Sequence, residues 1–168
     1  MDIPQLTVEF LTASNLTMVT AESCTGGRIA ALLTEAAGCG NCLECGYVSY
    51  SPKSKLRELG VEPSTIQQFG LTSEEVAVEM ARGALFNSGA DIAVATTGLI
   101  GDEPMDGIAP GTVWFAWLYQ TGDDVAVVTR KEIFAGSRKE VQLNSSLYAL
   151  EGVMQLRLGE SHKEIGAA

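Results

Sequence analysis

Histidine is almost missing from this sequence. The 168 residues contain one, His162, and it lies in a C-terminal stretch, residues 159–168, that we expect to be frayed. A Ser-His-Asp triad and a histidine-based zinc site both need a histidine inside the folded part of the chain. The sequence therefore argues against both kinds of site, and a hydroxyl nucleophile here needs another base.

Basic residues are also few. The chain has 11 Lys plus Arg residues against 21 Asp plus Glu residues, a formal net charge of −10. This surplus of negative charge opposes non-specific binding to nucleic acid phosphates or to an anionic membrane surface. A local basic pocket for a small anion is still allowed. We therefore expect a small-molecule substrate, with neither nucleic acid nor membrane as a partner.

Long apolar runs and a basic N-terminal segment are missing as well. No stretch approaches the roughly 20 residues that span a bilayer, and MDIPQLTVEFLTAS lacks the basic start of a secretory signal. The cysteines lie in the first third of the chain, whereas a disulfide scaffold would spread them along it. We therefore expect a cytoplasmic protein. The four cysteines are Cys24, Cys39, Cys42 and Cys45.

The remaining pattern is that of a globular α/β domain. The composition is 46% hydrophobic and 19% charged, and the length fits one domain over residues 1–168. Because helices separate the early strands, whereas Thr121-Gly122-Asp123-Asp124 predicts a hairpin, we expect a mixed, mainly parallel sheet with a late antiparallel pair. The strands are predicted at 16–21, 46–51, 91–97, 112–119 and 125–134. A first helix is predicted to end near residue 14, and four further helices are predicted at 26–38, 52–59, 72–89 and 137–158.

The segment AESCTGG, residues 21–27, connects the first predicted strand to a helix. Ligands bind in α/β proteins at such junctions. Its two glycines let a substrate approach the backbone, N–H groups at the helix start can stabilise an oxyanion, and Ser23 and Cys24 offer a hydroxyl and a thiol. A helix N-cap without chemistry uses the same residue types, and spacing alone favours that alternative.

Tyr50 and Lys55 supply a candidate base. Tyr50 ends the second predicted strand, and Lys55 lies in the helix that begins at Pro52. A desolvated lysine can accept a proton from a serine, and a tyrosine can relay a proton or orient the lysine. From the residues alone, a strand tyrosine and a solvated helix charge are the favoured interpretation.

Several sequence blocks, taken in order, resemble the CinA C-terminal domain family. They are AESCTGG, SYS-x3-K, GVEPSTIQQFGLTSEEVAVEMARGAL, DIAVATTG and GTVWFAW, and the resemblance runs from about Leu16 to about Leu156. It implies a three-layer α/β/α domain. Stand-alone members of the family include nicotinamide-nucleotide amidases, so it also implies hydrolysis of the carboxamide of nicotinamide mononucleotide to nicotinate mononucleotide and ammonia.

The resemblance also implies a site. Ser23 is the expected nucleophile, helped by Tyr50 and Lys55, with no metal or organic cofactor. Lys55 can take the serine proton if burial or a like charge lowers its pKa, and Glu22 could either orient Lys55 or serve as a structural carboxylate. Candidate oxyanion donors are the N–H groups of Thr25, Gly26 and Gly27. The expected substrate-binding residues are Glu22, Thr25, Gly26, Gly27, Thr97, Gly98 and Arg138.

Two regions depart from the family. The loop Gly98–Gly111 carries Asp102, Glu103 and Asp106 where the family has a weakly charged loop, and Gln142 stands where a second arginine is usual. Unit charges about 6 Å apart repel by roughly 3 kcal/mol at a dielectric of 20, so we expect weak binding of a nucleotide phosphate. Two alternatives stay open: an amidase for another small amide without a phosphate, and a catalytically silent ligand-binding or assembly module.

The run Cys39-x2-Cys42-x2-Cys45 is unusual for the family. Such spacing can hold an iron–sulfur cluster or zinc, with Cys24 as a distant fourth ligand. Against a metal, Cys42 and Cys45 lie where a strand begins and no proline follows. We therefore favour buried small hydrophobic residues.

Aromatic residues concentrate on the fourth predicted strand. They could supply a contact in a homo-oligomer, and core packing is the alternative that we favour. These residues are Trp114, Phe115, Trp117 and Tyr119.

Overall fold

A mixed five-stranded sheet lies at the centre of the fold. The computed structural model describes residues 2–101 and 103–155. The strand order is β2-β1-β3-β4-β5, and β1 pairs in parallel with β2 and β3, whereas β3–β4 and β4–β5 are antiparallel. The strands are β1 (Met18–Glu22), β2 (Leu43–Val48), β3 (Ile92–Gly98), β4 (Thr112–Thr121) and β5 (Asp124–Ile133). The expected mixed sheet and the late hairpin are confirmed, but the sheet is not mainly parallel as expected, because two of its four strand pairings are antiparallel.

Helices cover both faces of the sheet. They are α1 (Ile3–Ala13), α2 (Arg28–Glu35), α3 (Pro52–Leu59), α4 (Pro63–Phe69), α5 (Glu74–Ser88) and α6 (Arg138–Gln155), and a 3₁₀ turn covers Cys39–Asn41. Side chains of α1, α2 and α6 share one apolar core with the sheet, and those of α3, α4 and α5 share the other. The three-layer α/β/α architecture is therefore confirmed.

Alternation along β4 sorts its side chains between the two cores. Phe115 and Trp117 are fully buried toward α6, where their rings stack with centroids 5.5 Å apart. The indole N–H of Trp117 also donates to the Ala149 carbonyl oxygen at 2.9 Å. Tyr119 is buried in the same core, and half-buried Trp114 lies under the Lys131 ammonium group. These side chains therefore pack the core, which was the favoured alternative to a subunit contact.

Helix α2 is shorter than predicted, Arg28–Glu35 instead of 26–38, and two further elements differ from the sequence prediction. Strand β2 begins and ends three residues before its predicted bounds, because Gly46 lies inside the strand instead of starting it. A Cβ at Gly46 would lie 2.9 Å from Thr20 Oγ1 and 3.1 Å from Ala30 Cβ, so the glycine allows β1 and α2 to pack closely. Helix α4 was not predicted: it has only seven residues and buries none of them fully, although Ile66 packs against the second core, Pro63 starts the helix and Gly70 ends it.

Several predictions fall on residues outside the described part of the chain. They are the last residues of the predicted C-terminal helix, 156–158, the frayed tail 159–168 with His162, and the loop residue Asp102. Among the described residues, no helix is both long enough and apolar enough to cross a membrane.

Candidate active site

Ser23 follows directly after β1, in the middle of the parallel part of the sheet. Its N–H donates to the Thr96 carbonyl oxygen of β3 at 3.0 Å, which ties the residue to the neighbouring strand. Its side chain is at the surface of the core, with Ser23 6% exposed. The carboxyl ends of β1, β2 and β3 meet here, which is where α/β sheets bind ligands.

Lys55 reaches this serine from α3. The helix starts at Pro52 after a cap in which the Ser51 hydroxyl accepts the N–H of Ser54. From there the Lys55 side chain runs inward, fully buried, and its Nζ lies 2.7 Å from Ser23 Oγ. The same Nζ also donates to the Ser49 carbonyl oxygen. The structure thus brings together the predicted nucleophile and the predicted base.

Burial changes the protonation of Lys55. Loss of water around the amine lowers the pKa of Lys55 from 10.5 to about 8, and the neighbouring Cys24 acts in the opposite direction with a smaller effect. This shift increases the fraction of neutral amine beside the serine hydroxyl at mildly basic pH, and the neutral amine is the form that can accept a proton.

Burial shifts the pKa of the Cys24 thiol in the opposite direction to that of the Lys55 amine. Cys24 is 2% exposed, and burial is the main cause that raises the pKa of its thiol to about 12. The sulfur therefore stays protonated near neutral pH and is a poor nucleophile. Of the two adjacent candidates, the geometry favours the hydroxyl of Ser23.

The Glu22 carboxylate is enclosed at the start of α2. It accepts the N–H groups of Ile29 at 3.0 Å and Ala30 at 2.9 Å, and the Thr20 hydroxyl donates to it at 3.2 Å. Glu22 is fully buried, so these bonds replace water at two otherwise unsatisfied N–H groups of the helix. This geometry matches the structural role that the sequence left open, and contact with a substrate stays a prediction.

The glycines after Ser23 shape the turn into α2. Gly26 and Gly27 have φ of +64° and +91°, a region that disfavours other residues. The N–H of Gly26 donates to the Ser23 carbonyl oxygen at 3.1 Å, so it is not free to stabilise an oxyanion as predicted. Among the described residues, none accepts the N–H of Thr25 or Gly27, and these two stay candidate donors.

Tyr50 and Arg138 pair outside the buried site. Tyr50 lies beyond the end of β2, 53% exposed, and the Arg138 guanidinium donates to its hydroxyl at 2.8 Å. Lys55 Nζ donates to the Tyr50 carbonyl oxygen at 3.5 Å, whereas the Tyr50 hydroxyl is engaged with Arg138. The tyrosine hydroxyl therefore does not orient Lys55, and a catalytic role for Tyr50 stays a prediction.

Gln142, on α6, contacts the junction between β1 and α2. One helical turn after Arg138 on α6, its side-chain amide donates to the Cys24 carbonyl oxygen at 3.0 Å. The sequence marked Gln142 only as a replacement for an arginine. Because 118 residues separate Gln142 from Cys24, no local pattern could have indicated this contact.

Thr97 and Gly98 end β3 next to the junction. The Thr97 hydroxyl donates to the Leu71 carbonyl oxygen at 2.8 Å, so it faces the segment before α5. A Cβ at Gly98 would lie 2.6 Å from the Thr112 carbonyl oxygen and 3.0 Å from Cys24 Sγ. Gly98 therefore allows β3 to pass close to the thiol, and substrate contacts by both residues stay predictions.

The acidic loop after β3 is fixed at its base. Ile100 is buried in the core beside α6, and Met105 and Ile108 pair with each other farther out. Glu103 and Asp106 are both exposed, so water surrounds these two carboxylates. Within residues 2–101 and 103–155, no cluster of three Cys, His, Asp or Glu side chains has the arrangement to hold a metal ion.

This chain belongs to the CinA family. The model of the CinA C-terminal domain matches residues 2–157, which confirms the resemblance seen in the sequence.

Relatives and solved structures agree with this assignment. Two proteins named nicotinamide-nucleotide amidohydrolase PncC are similar to it. The one from Escherichia coli K12 is 40% identical over 156 residues (92% of this chain, 93% of the relative), and the one from Pseudomonas putida is 42% identical over 149 residues (88% and 91%). The crystal structure of the competence/damage inducible protein CihA from Agrobacterium tumefaciens has a TM-score of 0.86 at 35% identity, covering 94% of this chain and 96% of that one.

Proposed function

We propose that this chain is an amidohydrolase that converts nicotinamide mononucleotide to nicotinate mononucleotide and ammonia. The observation that carries the proposal is the buried 2.7 Å hydrogen bond between Lys55 Nζ and Ser23 Oγ. Family membership and the names of the PncC relatives support the substrate. Cytoplasmic location and a homo-oligomeric state belong to the same proposal, and the four free cysteines fit a reducing compartment.

In the proposed mechanism, neutral Lys55 accepts the Ser23 proton as the serine oxygen attacks the carboxamide carbon. The N–H groups of Thr25 and Gly27 stabilise the negative charge that develops on the carbonyl oxygen. The Lys55 ammonium then gives its proton to the departing nitrogen, and ammonia leaves an acyl-serine. Water, deprotonated by Lys55 in turn, hydrolyses this ester and restores the free serine.

Arg138 is the proposed contact for the phosphate. It lies at the start of α6, partly engaged with the Tyr50 hydroxyl but exposed to solvent. A guanidinium binds phosphate through two parallel N–H groups, and the Tyr50 ring beside it offers a flat apolar surface to a pyridine ring. The phosphate is then held away from the buried serine, where the amide must lie.

The test is release of ammonia from nicotinamide mononucleotide by the purified protein, with nicotinate mononucleotide identified as the co-product. Turnover that is lost in Ser23→Ala supports the proposal. Binding of the nucleotide without turnover would instead identify a silent ligand-binding module and overturn it.

A second candidate is an amidase for a small amide without a phosphate. It is favoured by Gln142, whose amide donates to Cys24 where the family usually has a second arginine, and by the exposed acids Glu103 and Asp106. Comparison of kcat/KM for nicotinamide mononucleotide and nicotinamide riboside separates the two candidates. A higher kcat/KM for the riboside selects the second.

A further inference from the structure

The cysteine run divides between the two faces of the sheet. Cys39 and Cys42 belong to the core that α1, α2 and α6 share with the sheet, whereas Cys45 packs in the core on the opposite face. Cys24 lies in the first core but beyond the other end of β1, about 20 Å away at 3.3 Å per strand residue. Only Cys39 and Cys42 are therefore placed to meet.

A tight turn brings these two residues together. Residues 39–41 form a 3₁₀ turn, in which the N–H of Cys42 donates to the Cys39 carbonyl oxygen at 3.0 Å. A turn closed in this way keeps its first and last Cα atoms within about 7 Å, and disulfides need about 4.4–6.8 Å. The Cys42 thiol already points back along the turn, since its sulfur lies 3.5 Å from the same carbonyl oxygen.

The two thiols differ in access. Cys39 is half-buried and Cys42 is 1% exposed, so a reagent from solvent meets Cys39 first. Burial raises the pKa of the Cys42 thiol, and a charge on nearby Cys39 raises it further. A Cβ at Gly40, between the two cysteines, would meet no atom within 4 Å, so there is open space beside the turn.

We propose that Cys39 and Cys42 form a reversible intramolecular disulfide by exchange with a low-molecular-weight disulfide. The Cys39 thiolate attacks one sulfur of that molecule, its S–S bond breaks, and one small thiol leaves. Cys42 then loses its proton to water and attacks the Cys39 sulfur of the mixed disulfide, which expels the second small thiol. Two protein thiols are oxidised, and one small disulfide is reduced to two thiols.

The test is incubation of the whole protein with oxidised and reduced glutathione at graded ratios, followed by alkylation of free thiols after unfolding and mass spectrometry. We expect loss of two hydrogens, protection of Cys39 and Cys42 from alkylation, and full alkylation of Cys24 and Cys45. Excess reduced glutathione should restore alkylation at all four. A glutathione adduct that persists on Cys39 in the unmodified sequence, or no reaction at all, would overturn the proposal.

Single variants test the order of attack. Cys42→Ser should stop at one stable glutathione adduct on Cys39, whereas Cys39→Ser should form almost none, because Cys42 is buried.

Cys45→Ser is the matched control. Cys45 has the same spacing from Cys42, but three residues of extended chain separate their Cα atoms by about 10 Å. This variant should close its disulfide as the unmodified protein does. A bridge that contains Cys45 or Cys24 would contradict the assignment.

Discussion

Ser23 and Cys24 are chain neighbours with different chemical environments. The serine hydroxyl meets a lysine amine whose pKa is lowered, whereas burial keeps the cysteine protonated. We expect Ser23→Ala to reduce kcat for ammonia release by a factor on the order of 10³ or more, because the variant lacks the hydroxyl that forms the acyl intermediate in the proposed mechanism.

Cys24→Ala is the control for this prediction, since it alters the adjacent residue and leaves Ser23 and Lys55 in place. It should keep most of the activity, with circular dichroism melting curves recorded for both variants to verify folding. An inactive Cys24→Ala together with an active Ser23→Ala would show that the thiol is the nucleophile.

Lys55 should give the reaction a basic pH limb. Because burial lowers the pKa of Lys55 to about 8, the reactive neutral amine is lost as pH falls below that value. We expect kcat/KM to fall about tenfold for each pH unit below 8 and to level off above it. Lys55→Arg should be inactive throughout this range, because arginine keeps its proton although the positive charge is retained.

Lys53→Arg is the matched control, since Lys53 is exposed on the same helix. It should keep both the rate and the pH profile of the unmodified protein. Activity in Lys55→Arg would mean that position 55 acts only as a fixed positive charge.

At the scale of elements, the loop after β3 should affect substrate binding more than chemistry. Its exposed carboxylates Glu103 and Asp106 repel a phosphate, but salt screens them with a Debye length of about 10 Å at 0.1 M. The double variant Glu103→Gln/Asp106→Asn should therefore lower KM for nicotinamide mononucleotide at low salt with little change in kcat. Steady-state kinetics at two salt concentrations measure this, and the difference should shrink as salt is added.

The hairpin between β4 and β5 offers a control with the same change in net charge. Asp123→Asn/Asp124→Asn removes two charges at the opposite end of the sheet from Gly98, about 27 Å away along β4. This variant should leave KM unchanged. If both double variants give the original KM at low salt, the loop carboxylates play no part in binding.

At the scale of the whole molecule, local patterns predicted an α/β domain with a mixed sheet, and the family resemblance implied its three layers, but neither gave the strand order. Alternation, apolar stripes and the hairpin signal at Gly122 are read within a few residues, and each of these elements is present. Strand order depends on pairing between distant segments, which one sequence does not encode locally. Helix α4 was missed because it is short and buries no complete side chain. Strand β2 was predicted three residues too late because Gly46 resembled the start of the strand.

In the site, too, the residues could be predicted but some of their long-range contacts could not. The resemblance supplied Ser23 and Lys55, and their contact follows from the family motif. The sequence left a structural role open for Glu22, but its bonds to the N–H groups of α2 and the Gln142 contact with the junction could not be predicted, because each depends on how a helix packs against the sheet. Tyr50 lies two residues beyond the end of β2 instead of ending the strand as predicted, and its hydroxyl accepts a hydrogen bond from Arg138.

The backbone groups that hold Ser23 and Lys55 in place lie in the sheet or directly after one of its strands. Ser23 is fixed through its N–H to β3, and Lys55 is fixed by the carbonyl of Ser49, whose own N–H donates to the Glu22 carbonyl oxygen of β1. Pairing of β1 with β3 therefore also positions the Ser23 backbone, and the contact between the Ser23 and Lys55 side chains is part of the folded structure. We expect an arriving ligand to meet a preorganised pair of side chains.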